Sequence, residues 1–207
     1  MAFSLIQIED HVEYLHGKGD SEMYDVFKVL NWLRVKNYKD MQSNDPNVEE
    51  LTQMKAMKLL YYIQAASLSM TGHRMFDSDI VAWKYGPAIA EVHNVYKRCR
   101  GIVNSDNPID AQAQADYDEL QHNKQVLDIL EGVYTAYGPM SAYDLMRQTH
   151  REDPWRNTKQ SQIISDSAIK DFFEGSLEDE KTSSVDVNTL QRLFDENKDV
   201  MDWLKDK

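Results

Sequence analysis

Apolar residues recur every three or four positions along most of the chain, which is the spacing of one face of an α-helix. The first stripe predicts a helix within residues 4–16, and two glycines then interrupt the pattern. A second stripe predicts a helix that Ser21 caps at its N-terminus and that runs through Asn37. Residues 38–44 are polar and indicate a connector.

The most apolar helix is predicted between Asp45 and Gly72. Asp45 and Pro46 favour a helix start, because an aspartate accepts hydrogen bonds from free N–H groups and a proline suits the first turn. Gly72 would end the helix. Apolar residues lie on nearly all sides, which is typical of a buried central helix, and Lys58 within it must snorkel or pair. The predicted centre of the core is Leu59, Leu60 and Ile63.

The middle of the chain combines a short β element with a helix. Residues 80–84 (IVAWK) are rich in β-formers and predict a strand or an extended segment, and residues 85–87 indicate a turn. A helical stripe then ends at Gly101; its members are Ile89, Val92, Val95, Tyr96 and Cys99. We interpret Cys99 as a small buried hydrophobe.

The second half of the chain also predicts helices. One, continuous or interrupted, covers residues 111–136. Ser141 and Asp144 form a capping-box pattern that opens a short helix. Residues 151–157 indicate a structured loop, and residues 166–174 a further helix.

An amphipathic helix is predicted near the C-terminus, over residues 187–205, after an acidic linker at 176–184. Its stripe consists of Leu190, Phe194, Met201 and Leu204. The stripe either packs on the protein's own core or inserts into a groove of a partner. The fold is therefore predicted to be mainly α, a single helical domain with a small β element near residues 75–85. An N-terminal extension (1–20) precedes the domain (21–175), and the linker and helix (176–207) follow it.

Charge argues against a nucleic-acid partner. The chain has 23 Lys and Arg against 35 Asp and Glu, a net charge of −12, which repels phosphate. Seven acids lie between residues 105 and 131, and they form either a solvated face or a docking surface for a basic partner. One cysteine fits a reducing compartment, and residues 59–70 are too short and too polar to span a bilayer. We expect a cytoplasmic protein with no membrane partner.

The sequence contains no recognisable catalytic pattern. There is no HExxH pair, no glycine-rich phosphate loop and no GxSxG elbow, and Cys99 and His93 would point in different directions from one helix. The most unusual stretch is HREDPW at 150–155, which we interpret as a loop pinned by Trp155. We predict no catalytic residue, no metal and no cofactor.

Three segments together resemble the Panacea domain, also called SocA-like or, in phage contexts, GepA-like. They are KLLYYIQ at 58–64, MF followed by AWKYGP at 75–87, and SA followed by TH and PW at 141–155. The resemblance spans about residues 21–175. It implies a helical antitoxin that neutralises a toxin protein by direct binding, the toxin often being encoded by an adjacent gene.

The resemblance leaves the identity of the toxin and the oligomeric state open. At least one member of the family delivers its toxin to a protease, and others occur on phages or prophages. The alternative function is therefore a phage- or prophage-encoded modulator or protease adaptor that binds a host protein, also without enzymatic activity.

The motifs also suggest which residues pack and which bind. Core packing is predicted for the apolar motif residues, including Trp83 and Trp155. Trp83 and Tyr85 alternate, so one face of their segment is expected to bury both rings. Partner contacts are predicted for residues with polar tips and for the terminal stripe: Lys58, Tyr85, His150, Arg151, Phe194 and Met201.

Overall fold

The computed structural model describes residues 23–182 apart from 44–47, 100 and 105, with side chains through residue 175. The predicted helices at 4–16 and 187–205, with Phe194 and Met201, lie outside these residues. The described part contains helices α1 (Val26–Gln42), α2 (Gln53–Thr71), α3 (Ala90–Val95), α4 (Ala111–Gln121), α5 (Lys124–Tyr137), α6 (Ala142–Thr149), α7 (Asp153–Arg156) and α8 (Asp166–Thr182), and strands β1 (Val81–Trp83) and β2 (Gly86–Ala88). The mainly α fold with a small β element is confirmed.

Helix α2 is the centre of the fold, because α1, α5, α6, α8 and β2 all pack against it. The predicted central residues Leu59, Leu60 and Ile63 are completely buried. The helix ends as predicted: Gly72 adopts φ 76°, a left-handed conformation that glycine tolerates best.

Helix α2 begins later than predicted: residues 48–52 are not helical, and the predicted start at Asp45 and Pro46 lies outside the described residues. Thr52 caps the helix, and its hydroxyl accepts a hydrogen bond from the amide of Lys55. The side chain of Asn37 on α1 binds both the carbonyl of Glu49 and the amide of Leu51. These bonds keep the chain before Thr52 extended along α1, so the helix begins later than the local sequence suggests.

Helix α1 also differs from its prediction at both ends. Asp25 is the N-cap, because its carboxylate accepts a hydrogen bond from the amide of Phe27 at 2.6 Å; Ser21, the predicted cap, lies outside the described residues. The predicted connector at 38–44 is helical through Gln42. This last turn packs on α4, where the Lys39 ammonium lies 3.8 Å from the centre of the Tyr117 ring.

The β element is a tight hairpin of β1 and β2, which pair from Val81 with Ala88 to Trp83 with Gly86. The turn is formed by residues 84 and 85, so the predicted turn at 85–87 is displaced and Gly86 belongs to the second strand. The outer edge of β1 binds residues 161–164: the amide of Ala82 donates to the carbonyl of Gln162 at 2.9 Å.

Helix α3 is shorter than the predicted stripe. It ends at Val95, and a turn follows in which Arg98 adopts φ 71°. Val95, the last residue of the helix, is 60% exposed, and Cys99, which lies after the turn, is half-buried against the edge of the core rather than enclosed in it. The other predicted members of the stripe are buried.

The later helices mostly lie where the sequence predicts them. The predicted helix at 111–136 is interrupted between α4 and α5, where Asn123 caps α5. The predicted N-cap of α6 is confirmed: Ser141 Oγ accepts from the amide of Asp144, and it donates to the carboxylate of the same residue. The predicted loop at 151–157 contains the single turn α7, and α8 continues through Thr182 where a linker was predicted.

Candidate functional site

Lys58 connects the first two motif segments inside the protein. It lies in the middle of α2, where apolar neighbours leave its side chain only 1% exposed. Its ammonium group donates a hydrogen bond to the carbonyl oxygen of Pro87 at 2.8 Å. The hairpin is therefore bound to the central helix through a buried charge.

Glu152 brings the third motif segment to the same place. It precedes α7 and is also buried. The Tyr62 hydroxyl donates to Glu152 Oε1 at 2.8 Å, and the Tyr61 hydroxyl lies beside the same carboxylate without forming a well-aligned hydrogen bond. The ring of Tyr62 is fixed by parallel stacking on Tyr137, with 3.9 Å between the ring centres.

The electrostatics of Lys58 and Glu152 depend on each other. Burial lowers the pKa of Lys58 to about 7, and the negative charge of Glu152 opposes this shift. Burial likewise raises the pKa of Glu152 to about 7, against the hydrogen bond from Tyr62, the nearby hydroxyl of Tyr61 and the charge of Lys58. Burial raises the pKa values of both tyrosines well above their usual value, so they stay protonated and can donate. The charge of each group therefore favours the charged form of the other, but burial has the larger effect on both pKa values.

Gly86 allows the hairpin to approach this centre closely. A Cβ atom at this position would lie 2.7 Å from Thr149 Oγ1 and 2.8 Å from Lys58 Nζ. Its φ of 97° is also a conformation that other residues rarely adopt. The sequence therefore needs glycine here, and the contact places Gly86 directly against the end of α6.

Trp155 provides a second attachment between the hairpin and the third motif. Its Nε1 donates to the carbonyl oxygen of Trp83 at 2.9 Å, and its ring stacks on His150 with 4.0 Å between ring centres. Trp83 is half-buried, whereas Tyr85 is 59% exposed. The expectation that one face buries both rings is wrong, because the turn at residues 84 and 85 ends the alternation of the strand.

The predicted contact residues of the three motifs lie at different depths. Tyr85 and Arg151 are exposed, and His150 is half-buried. Lys58 is covered by the backbone of Gly86 and Pro87, so in this conformation it supports the surface from below. Their part in binding remains a prediction.

Sequence reasoning did not single out Glu152, Gly86 or Thr149. The only available signal was that Glu152 is an acid within the HREDPW stretch and that Gly86 follows an aromatic strand. Their roles depend on contacts with α2 that are distant in sequence.

The acidic stretch at 105–131 is largely engaged within the protein. Six of its seven acids form intramolecular hydrogen bonds or ion pairs: Asp110 caps α4, Asp116 binds Asn31, Asp118 binds Gln114, Glu119 binds Lys28, Asp128 binds Lys124 and Glu131 binds Lys36. This supports a solvated structural face rather than a docking surface.

Among the residues that the structure describes, no group of three His, Cys, Asp or Glu side chains is placed to hold a metal ion. None of the described helices combines the length and the hydropathy needed to cross a bilayer.

Comparison with known families bears out the resemblance of the motifs. Residues 57–156 match the family model described as antitoxin SocA-like, Panacea domain. This match contains Lys58, the hairpin and Glu152, and therefore the whole buried centre. No curated protein and no solved structure matches the chain.

Proposed function

We propose, on the premise that residues 57–156 form an antitoxin SocA-like Panacea domain, that this protein neutralises a toxin protein by binding it directly. The observation that carries the proposal is the convergence of three distant motif segments on the Lys58–Glu152 centre. That centre fixes an exposed surface around Tyr85 and Arg151. Binding surfaces depend on such rigid support, because a side chain held in place loses little entropy when a partner binds.

The buried groups are better suited to support than to reaction. The Lys58 ammonium donates to the Pro87 carbonyl, and Glu152 Oε1 accepts from the Tyr62 hydroxyl. A nucleophile or a general base must reach a substrate atom, and here both groups are enclosed by the protein's own chain. This arrangement supports a non-enzymatic role.

Co-expression with the product of an adjacent reading frame tests the proposal. We expect that this product stops growth when expressed alone and that growth returns when the protein is expressed with it. A matched negative control is Leu60→Ala, which should weaken the core and therefore reduce rescue. The proposal would be contradicted if the product of the adjacent reading frame were harmless alone, or if its toxicity persisted when the protein was expressed with it. Either result would favour a modulator of a host protein.

The amount of toxin distinguishes binding from delivery to a protease. Neutralisation by binding leaves the toxin level unchanged in an immunoblot and yields a complex on size-exclusion chromatography. Delivery to a protease lowers the toxin level, and the level recovers when the host proteases are inactivated. We expect the first result.

A further inference from the structure

The surface above the buried centre is held by two attachments. Trp83 is bound to Trp155, and Gly86 lies against Thr149. The two residues between Trp83 and Gly86 are Lys84 and Tyr85, and Arg151 follows two residues after Thr149. Arg147 lies in α6, and Arg151 lies two residues beyond the end of that helix. We call Lys84, Tyr85, Arg147 and Arg151 the rim.

The rim carries three positive charges that form no ion pair within the described residues. Lys84, Arg147 and Arg151 are all exposed, and none forms an ion pair with a described residue. Of the acids nearest to Arg147 and Arg151 in sequence, Asp153 pairs with Arg156, Glu152 is buried, and Asp144 accepts a hydrogen bond from the Ser141 hydroxyl. In a chain with a net charge of −12, this makes the rim a locally positive surface.

Two exposed tyrosines accompany these charges. Tyr85 is 59% and Tyr143 is 60% exposed. The Lys84 ammonium lies 5.3 Å from the centre of the Tyr85 ring, and the Arg147 guanidinium lies 5.8 Å from that of Tyr143. Tyrosine and arginine are enriched among the residues that contribute most to protein–protein binding. Each pair of a cation and a tyrosine ring can therefore contact one partner segment with both a positive charge and an apolar surface.

We infer that the rim recognises an acidic segment of the partner protein, through carboxylates that bind the rim cations and through apolar side chains that cover the tyrosine rings. The inference rests on the proposed function and adds the chemistry of recognition to it. A long polyanion such as a nucleic acid fits less well, because the rest of the protein is strongly negative and repels it. A short acidic protein segment meets only the local charge.

A random peptide library displayed on phage tests this inference without the toxin. The full chain is immobilised, and bound peptides are selected and sequenced. We expect the selected peptides to be richer in Asp and Glu than the unselected library. We also expect a synthetic copy of the strongest binder to bind at least about tenfold less tightly after Lys84→Glu together with Arg151→Glu, because repulsion replaces two attractions.

Two further variants make the result interpretable. Lys39→Glu changes another exposed cation, on α1, and should leave peptide affinity within about twofold. Arg151→Gln removes a rim charge without reversing it and should produce a smaller loss than Arg151→Glu. Far-ultraviolet circular dichroism and the denaturation midpoint should be unchanged for each rim variant, because these side chains are exposed.

The outcomes separate the inference from the proposed function. The inference would be overturned if the selected peptides had no acidic bias, or if the rim variants bound them as tightly as the unchanged protein does. Neither result would bear on toxin neutralisation, which the co-expression assay tests. Binding of random duplex DNA that is lost in the rim variants would assign the rim to nucleic acid and also overturn it. An acidic bias with a loss specific to the rim variants supports it.

Discussion

Glu152 accepts a hydrogen bond from the hydroxyl of Tyr62 at 2.8 Å, although 90 residues separate them in sequence. This contact brings the third motif against the central helix and places the carboxylate within the electrostatic influence of Lys58. The three motifs that define the domain are therefore parts of one buried arrangement. The consequences for stability can be tested residue by residue.

Replacing Lys58 by methionine keeps most of the packing of its stem but removes the charge. Glu152 then loses the favourable charge of Lys58, and the buried Pro87 carbonyl loses its donor, so we expect a loss of about 1–3 kcal/mol in the free energy of unfolding at neutral pH, the usual cost of an unsatisfied buried acceptor. Urea denaturation measures this loss. The matched control is the double variant Lys58→Met, Glu152→Gln, which should lose less than the sum of the two single variants. Strict additivity would show that the two charges do not interact.

The stability contributed by Glu152 should depend on pH. Burial raises its pKa to about 7 in the folded protein, against 4.5 as a reference. The folded state therefore binds more protons than the unfolded state between these values, and stability falls as pH rises through this window. The difference in unfolding free energy between the unchanged protein and Glu152→Gln should decrease from pH 4.5 to 7. A difference that grows with pH would show that the carboxylate is held ionised.

Gly86→Ala should destabilise the protein by about 1–3 kcal/mol, because the new methyl group would meet Thr149 and Lys58 and the backbone has a positive φ. Thermal denaturation followed by circular dichroism measures the effect. Gly175→Ala is the control: no atom lies within 4 Å of a Cβ at that helical position, so this change should be neutral or slightly stabilising. Equal midpoints for the two variants would contradict the close approach of the hairpin.

Leu60→Ala should lower the free energy of unfolding by about 2–5 kcal/mol, since the side chain is fully buried in the central helix. Chemical denaturation gives the value. A shift below about 0.5 kcal/mol, the size expected of surface substitutions, would mean that α2 is peripheral.

Local signals predicted much of the fold. The end of α2 at Gly72 and the cap of α6 at Ser141 depend on residues within one helical turn, so the sequence contains them directly. The burial of Leu60 followed from the apolar character of its helix on all sides. The start of α2 was not predictable, because it is decided by hydrogen bonds from Asn37 on another helix.

The candidate site was predicted less well than the fold. The motifs identified Tyr85 and Arg151, which are exposed, and also Lys58, which is covered by the hairpin. How deeply these side chains are buried depends on how the hairpin turns at residues 84 and 85. A turn of two residues produces no periodic pattern of apolar positions in the sequence. Glu152 could not be assigned for a related reason: an acid in a polar stretch gives no sign that it is buried.

Calorimetric titration of the purified protein with the purified product of the adjacent gene tests direct neutralisation most directly. We predict saturable binding with a dissociation constant in the nanomolar range, of the order found for stable complexes of standard interface size. The contradicting result would be no detectable binding at tens of micromolar under conditions where co-expression restores growth.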